Sequence, residues 1–362
     1  MIRTQFALVP VLLVLASVAV LPAMEVGPPG SGLFVGGWGE AIMRGERRDA
    51  AYPNKTPGAP AGQDENLIRT TADALLKVGY NVDEFSLRLD VLAYNRPPFD
   101  DGNNVLLEQA FIDWRVSPEV TVRAGRFRSS WIGWEGYHTP ELWRVNNSAV
   151  WSWNIRDHGQ LARRPFLSDG VGVTFAVPDE PLTVSFFLVD DVLGDGPGSR
   201  GTDKAYGTSI LWSPAGFGRV EFGAVLDPRS MNNGGGTSST GAAFDLNADI
   251  DTFKDQGWFF AAEAQYHKHS HLGPAGPDFG DSVMFLGMAN YAFTPELSLT
   301  AMVDSVDRGR RLPDNGVIEY AVAVLTRPHK QVRLNAEVFL WDESARNADA
   351  YGVAAVLLVE LP

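Results

Sequence analysis

Oppositely charged side chains alternate with large apolar ones along LLEQAFIDWRVSPEVTVRAGRFRSSWIGWE, from Leu106 to Glu135. Asp113, Arg115, Arg123 and Arg126 carry the charges, and Ile112, Trp114, Val120 and Val122 stand between them. Upstream, Arg88 and Asp90 sit one strand step apart, between Leu87, Leu89 and Val91. Side chains two residues apart on a strand share a face, so such segments have one greasy face and one charged face. Rings of arginine and carboxylate around a narrow aqueous passage focus the field and select ions. That is the chemistry these residues suit. The same pattern also suits charges that merely pair with one another.

A long insertion follows, at about 129–168. It carries Glu135, His138, Glu141, Arg144, Arg156, Asp157, Arg163 and Arg164. It also carries Trp131, Trp134, Trp143, Trp151 and Trp153, half of the chain's 10 tryptophans. So many large rings predict a packed segment rather than a surface loop. Further on, HKHSH sets His267, His269 and His271 at period-2 spacing, which can present imidazoles to a transition metal. No carboxylate adjoins them, and a solvated loop entrance is the plainer reading.

Other chemistry finds little support. Cysteine is absent, which excludes disulfides, thiol catalysis and Cys-ligated metals. No GxSxG elbow, HExxH helix or phosphate loop occurs. A Ser-His-Asp arrangement is not excluded by composition alone. No cofactor is implied. The net charge of −14 argues against a nucleic-acid partner and against a basic membrane-surface protein.

The elements that must position these charges are strands. Period-2 alternation recurs in blocks of about ten residues. Phe85–Ala93, Phe244–Ile250, Leu297–Val303 and Val332–Leu340 are clear examples. Strands are predicted near 33–44, 67–79, 85–95, 105–116, 120–128, 169–177, 182–190 and 205–213. They continue near 218–226, 240–252, 257–267, 282–293, 297–305, 317–326, 331–341 and 350–361. The connections fall into two kinds that alternate along the chain. Tight ones are NVDE (81–84), SPE (117–119), PDEP (178–181), SPAG (213–216), KDQ (254–256), TPE (294–296) and PHK (328–330). The others are long, polar and glycine-rich. Strict alternation of short and long connections predicts an even-stranded sheet closed into a barrel.

The N-terminus has Arg3, an apolar run from Phe6 to Leu21, and small residues ending at Ala23. This predicts a signal peptide over 1–23, followed by a single domain over 24–362. No later segment is apolar for long enough to be a spanning helix.

The segment from Leu106 to Glu135 resembles the early hairpin of the bacterial outer-membrane porins. Gln109, Trp114, Gly125 and Arg126 carry the match, and the alternation extends it along the chain. The resemblance implies an all-β, closed antiparallel transmembrane barrel, here of 16 strands, with short periplasmic turns and long extracellular loops. It implies residence in the outer membrane of a Gram-negative cell, contact with its lipid, and association of three copies. It also implies a third loop folded into the lumen. The function it implies is a passive water-filled channel for small hydrophilic solutes or ions, with no reaction catalysed.

The local excess of arginine points to anionic solutes. The pore-lining candidates are Arg88, Asp90, Asp113, Arg115, Arg123, Arg126, Glu135, Arg144, Arg156, Arg163 and Arg164. One departure is the end of the chain, VLLVELP, where porins place an aromatic residue. Two other readings stand beside the channel. One is an exported all-β binding protein, and the other an outer-membrane barrel with a receptor, structural or hydrolase role.

Overall fold

The computed structural model of the chain describes residues 24–26, 30–48, 65–94, 105–128, 167–190, 204–216, 218–227, 237–246, 256–269, 282–307, 316–343 and 348–361. Seventeen strands form one sheet. They are Met24–Glu25 (β1), Leu33–Arg48 (β2), Glu65–Val82 (β3), Phe85–Tyr94 (β4), Val105–Arg115 (β5) and Val120–Arg128 (β6). Next come Leu167–Ala176 (β7), Leu182–Asp190 (β8), Lys204–Trp212 (β9), Gly218–Asp227 (β10), Thr237–Leu246 (β11) and Gly257–His269 (β12). The last are Ser282–Thr294 (β13), Leu297–Asp307 (β14), Gly316–His329 (β15), Val332–Glu343 (β16) and Ala348–Leu361 (β17).

From β2 onward each strand pairs antiparallel with the next. β17 then pairs with β2, from Ala350↔Arg48 to Leu361↔Gly37. Followed from β2, the ladders lead back to β2.

Among the described residues the strand count is 17 and not the predicted 16, and β1 is the difference. β17 runs out opposite Gly37, which leaves the first residues of β2 without a partner on that side. Met24 and Glu25 pair there with Val35 and Phe34, and the Val26 N–H donates to the Leu33 carbonyl at 2.8 Å. The short strand continues the ladder where β17 ends. Such a two-residue pairing leaves no period-2 pattern to read.

The predicted strands otherwise recur within a few residues. β11 is described from Thr237 to Leu246, against the predicted 240–252. Residues 247–255, including most of the KDQ turn, lie outside the described residues. Residues 1–23 lie outside them too.

Turn chemistry accounts for the short connections. Asp83 joins β3 to β4 with φ +48°, and Asp179 joins β7 to β8 with φ +62°. Aspartate tolerates this left-handed region better than most residues. Between β15 and β16 the ladder slips after Thr326, beside Pro328, which has no N–H to donate. The Arg327 guanidinium closes that turn by donating to the Lys330 carbonyl.

One face of the sheet is buried and the other exposed. On β16, Asn335, Glu337, Phe339 and Trp341 are buried, while Leu334, Val338 and Leu340 are exposed. On β15, Glu319, Ala321, Ala323 and Leu325 are buried, against exposed Ile318, Tyr320, Val322 and Val324. The buried face looks into the ring. Two of its aromatic rings lie against a glycine directly across the ladder, Phe187 at Gly207 and Phe339 at Gly352. A methyl group at 352 would stand 2.8 Å from Phe339 Cζ and 2.9 Å from the Glu46 Cα. Gly352→Val is therefore expected to cost about 1–3 kcal/mol of overpacking. The check is the temperature at which the folded gel band converts to the unfolded one. A conversion temperature equal to wild type would refute the packing assignment.

Candidate functional site: the inner wall

The hairpin of β5 and β6 brings its charges together across the ladder. Asp113 stands opposite Arg123. Arg123 Nε and Nη2 donate to the two Asp113 oxygens at 2.6 and 2.7 Å. The guanidinium also lies 4.0 Å from the centre of the Phe111 ring and 5.8 Å from that of Phe127. A bidentate pair stacked on a ring is a fixed charge and not a swinging one.

On β4, Arg88 and Asp90 share a face, as residues two apart must. Arg88 donates to Asp90 through Nε and Nη2 at 2.7–3.0 Å, and Gln109 Nε2 donates to the same carboxylate at 2.8 Å. Asp90 is 1% exposed, so these donors are what makes its burial tolerable. Arg115 ends β5 on the same face as Asp113 and is exposed.

Arg126 is a correction. It is an odd number of residues from Arg123, so alternation turns it to the opposite face. Its ladder partners are Ala110 on β5 and Asp169 on β7, and it bonds Asp169 at 2.9 and 3.1 Å. Arg126 therefore lies on the outer wall and does not line the lumen. Glu135, Arg144, Arg156, Arg163 and Arg164 lie outside the described residues, as does His271. His267 and His269 end β12 at a long connection.

Trp38 and Trp341 belong to the inner wall and not to an outer aromatic belt. Trp341 is buried on the inner face, and Trp38 packs against buried Leu75 and Leu92. Tyr80, Phe85, Trp212, Trp258 and Phe293 do sit exposed beside short turns. Phe85 and Trp114 stack at 6.1 Å, and Trp258 and Phe260 at 5.4 Å.

The ladder register reveals an acidic row that single-strand patterns do not show. Glu221 pairs Ala243, which pairs Glu263, then Leu286, Asp304 and Glu319 in turn. These four carboxylates are 0–3% exposed and lie on the inner wall from β10 to β15. Asp304 and Glu319 are direct cross-strand neighbours, a like-charge pairing that usually destabilises a sheet. Glu337 adds a further buried carboxylate on β16.

The row also climbs. Glu221 is three residues from the short-turn end of β10, Glu263 six from that of β12, Asp304 seven and Glu319 ten. Interspersed on this side are apolar inner residues, with Phe259, Ala261, Leu286, Met288 and Met302 forming one buried cluster.

Opposite this wall, at the short-turn end, the seam of β17, β2 and β3 meets the β4–β6 strands around a chamber of about 790 Å³. Lys77, Arg88, Arg123, Arg327 and Lys330 line it, with Asp113 and Glu360 as its carboxylates. Glu360 also lies 3.0 Å from Arg333. Carboxylates thus form a row along β10–β15 and cations gather at the turn-side mouth, with Glu40, Glu46 and Asp90 as further buried carboxylates on β2 and β4.

No family model matches the chain, and no curated protein matches it. Solved structures do. OprB of Pseudomonas putida superposes with a TM-score of 0.64 at 10% identity, over 95% of this chain and 99% of that one. The outer-membrane channel DcaP of Acinetobacter baumannii gives 0.60 at 13% identity, over 94% and 100%. An anion-selective porin from Comamonas acidovorans gives 0.57 at 10% identity, over 91% and 99%. The chain has the porin fold. At these identities the likeness speaks for architecture, and the porin fold frames the charge pattern just described.

Facing decides what each charge can do. In a bilayer recording under a salt gradient, Arg123→Ala is expected to shift the reversal potential towards cation preference. Asp304→Asn is expected to shift it towards anions. Arg126→Ala should leave it at the wild-type value, and a shift as large as that of Arg123→Ala would overturn the outer-wall placement.

Proposed function

We propose that the chain is an outer-membrane porin, a passive water-filled channel for small hydrophilic solutes. The observation that carries this reading is the outer wall. Leu87, Ile112, Val171, Phe186, Ile210, Phe222, Phe285, Val322, Val338 and Val353, on ten different strands, all face outward and are 40–57% exposed. An apolar surface continuous around a protein aggregates in water and matches a bilayer. Among the described residues the ladders leave no long strand without two partners, as lipid requires. Exposed aromatics beside the short turns fit the interfacial belt of such walls.

In this reading the short turns face the periplasm and the long connections face outward. No reaction is catalysed, and flux follows the solute's own gradient. Residues 129–166, the segment expected to narrow the lumen, lie outside the described residues. Anions are the favoured solutes, supported by the cation-rich mouth. Three copies associate through smooth outer faces, for which Gly39, Ala41, Ala72 and Ala74 on β2 and β3 allow close approach.

Two measurements test the reading. Protein refolded into planar bilayers is expected to give stepwise conductance and, under a salt gradient, an anion-directed reversal potential. Conductance no greater than in protein-free bilayers would defeat the channel reading. The unboiled protein is expected to migrate as a compact band that boiling converts to a slower one. Recovery from cells in the soluble fraction without detergent would favour an exported binding protein instead.

A further inference from the structure

We infer that the turn-side chamber is a binding subsite for an organic carboxylate with a flat apolar body. The inference rests on the channel reading for its biological setting but not for its chemistry.

Three observations point to an anion. Five of the seven charged side chains lining the chamber are cations, in a chain whose net charge is −14. Arg88 and Arg123 are held in place by Asp90 and Asp113, and each uses only its Nε and Nη2 for that purpose. Their Nη1 groups make no hydrogen bond among the described residues. A guanidinium already fixed by one carboxylate loses little conformational freedom when a second one arrives. Finally, the Trp38 indole Nε1–H is buried with no hydrogen-bond partner, which costs about 1–3 kcal/mol until an acceptor relieves it.

The apolar body follows from the rest of the lining. Trp38, Phe34 and Phe111 present rings to the same chamber as the cations. A bare inorganic anion has nothing to place against them. An aromatic carboxylate does, and stacked rings add about 0.5–1.5 kcal/mol beyond their buried area. The volume of about 790 Å³ falls within the range of about 300–1,000 Å³ usual for small-molecule sites. Lys77 and Lys330 then face the carboxylate from the two sides of the β17–β2 seam, as point charges beside the fixed arginines.

Benzoate binding to the detergent-folded protein, read by titration calorimetry, tests this without relying on conductance. Benzoate is expected to bind at least about tenfold more tightly than acetate or inorganic phosphate, the equivalent of one charged hydrogen bond or one ring stack. Lys77→Met with Lys330→Met is expected to weaken benzoate about tenfold or more. Trp38→Phe, which keeps a ring and removes the N–H, is expected to weaken it several-fold. Arg126→Ala, on the outer wall, should bind as wild type, and gel heat-modifiability reports whether each variant is folded. Benzoate binding equal to that of acetate or phosphate overturns the apolar-bodied ligand. Wild-type affinity in the folded lysine double variant overturns the site. A channel that conducts yet binds no benzoate sinks the subsite alone, whereas benzoate binding without conductance sinks the channel reading alone.

Discussion

A chain that turns apolar side chains outward on strand after strand can tolerate no open edge. An unpaired N–H or C=O facing lipid costs several kcal/mol, and a row of them would cost more than the sheet gains. The ladder between β17 and β2 is therefore the contact on which the rest depends. It is long, running from Ala350 to Leu361, and β1 extends it past the point where β17 ends. Every other strand pair is joined by the chain as well as by hydrogen bonds. This one is held by the ladder alone, between residues more than three hundred positions apart.

Closing the ring gives each strand an inside and an outside, and alternation then distributes the chemistry. Small inner residues such as Gly207 and Gly352 leave room for Phe187 and Phe339 across the ladder, so the aromatic bulk inside is accommodated pairwise. Charges that would be intolerable outside gather within, where water and partners are at hand. The Arg88–Asp90–Gln109 and Arg123–Asp113 groups are such solutions. Arg126 and Asp169 lie on the outer wall, and there the two charges bond each other.

Much of this was legible in the sequence where one face is polar. On β4, β14 and β16 the strict alternation marks both the strand and its facing, because a slip of one residue would exchange the faces. The facing of Arg126 was legible too, since its odd spacing from Arg123 forbids a shared face. The inner apolar residues were not, because on β17 Ala354, Val356 and Leu358 are buried while their outward neighbours are equally apolar. There a period-2 signal vanishes. The facing of Trp38 and Trp341 was not legible for a related reason, as tryptophan suits either a membrane interface or a packed interior. The turn-side chamber and the acidic row were hidden altogether. They depend on register between strands, which no single strand's pattern contains.

The climb of the acidic row follows from the same geometry. Strands that close into a ring must tilt, so a row perpendicular to them cannot stay at one height. Glu221 begins near the short turns and Glu319 ends well above them, with Glu263 and Asp304 between. The opposition of Asp304 and Glu319 is costly as an isolated pair. As two adjacent steps of a ramp it has a consequence that an isolated pair lacks. Carboxylates that follow one another across and up the ladder carry negative charge along this wall from near the short turns to well above them. With the cations gathered at the turn-side mouth, this row sets a field across the lumen as well as along it. In the channel proposed above, such a field would discriminate by where a solute's charge sits on its body, and not by its net charge alone.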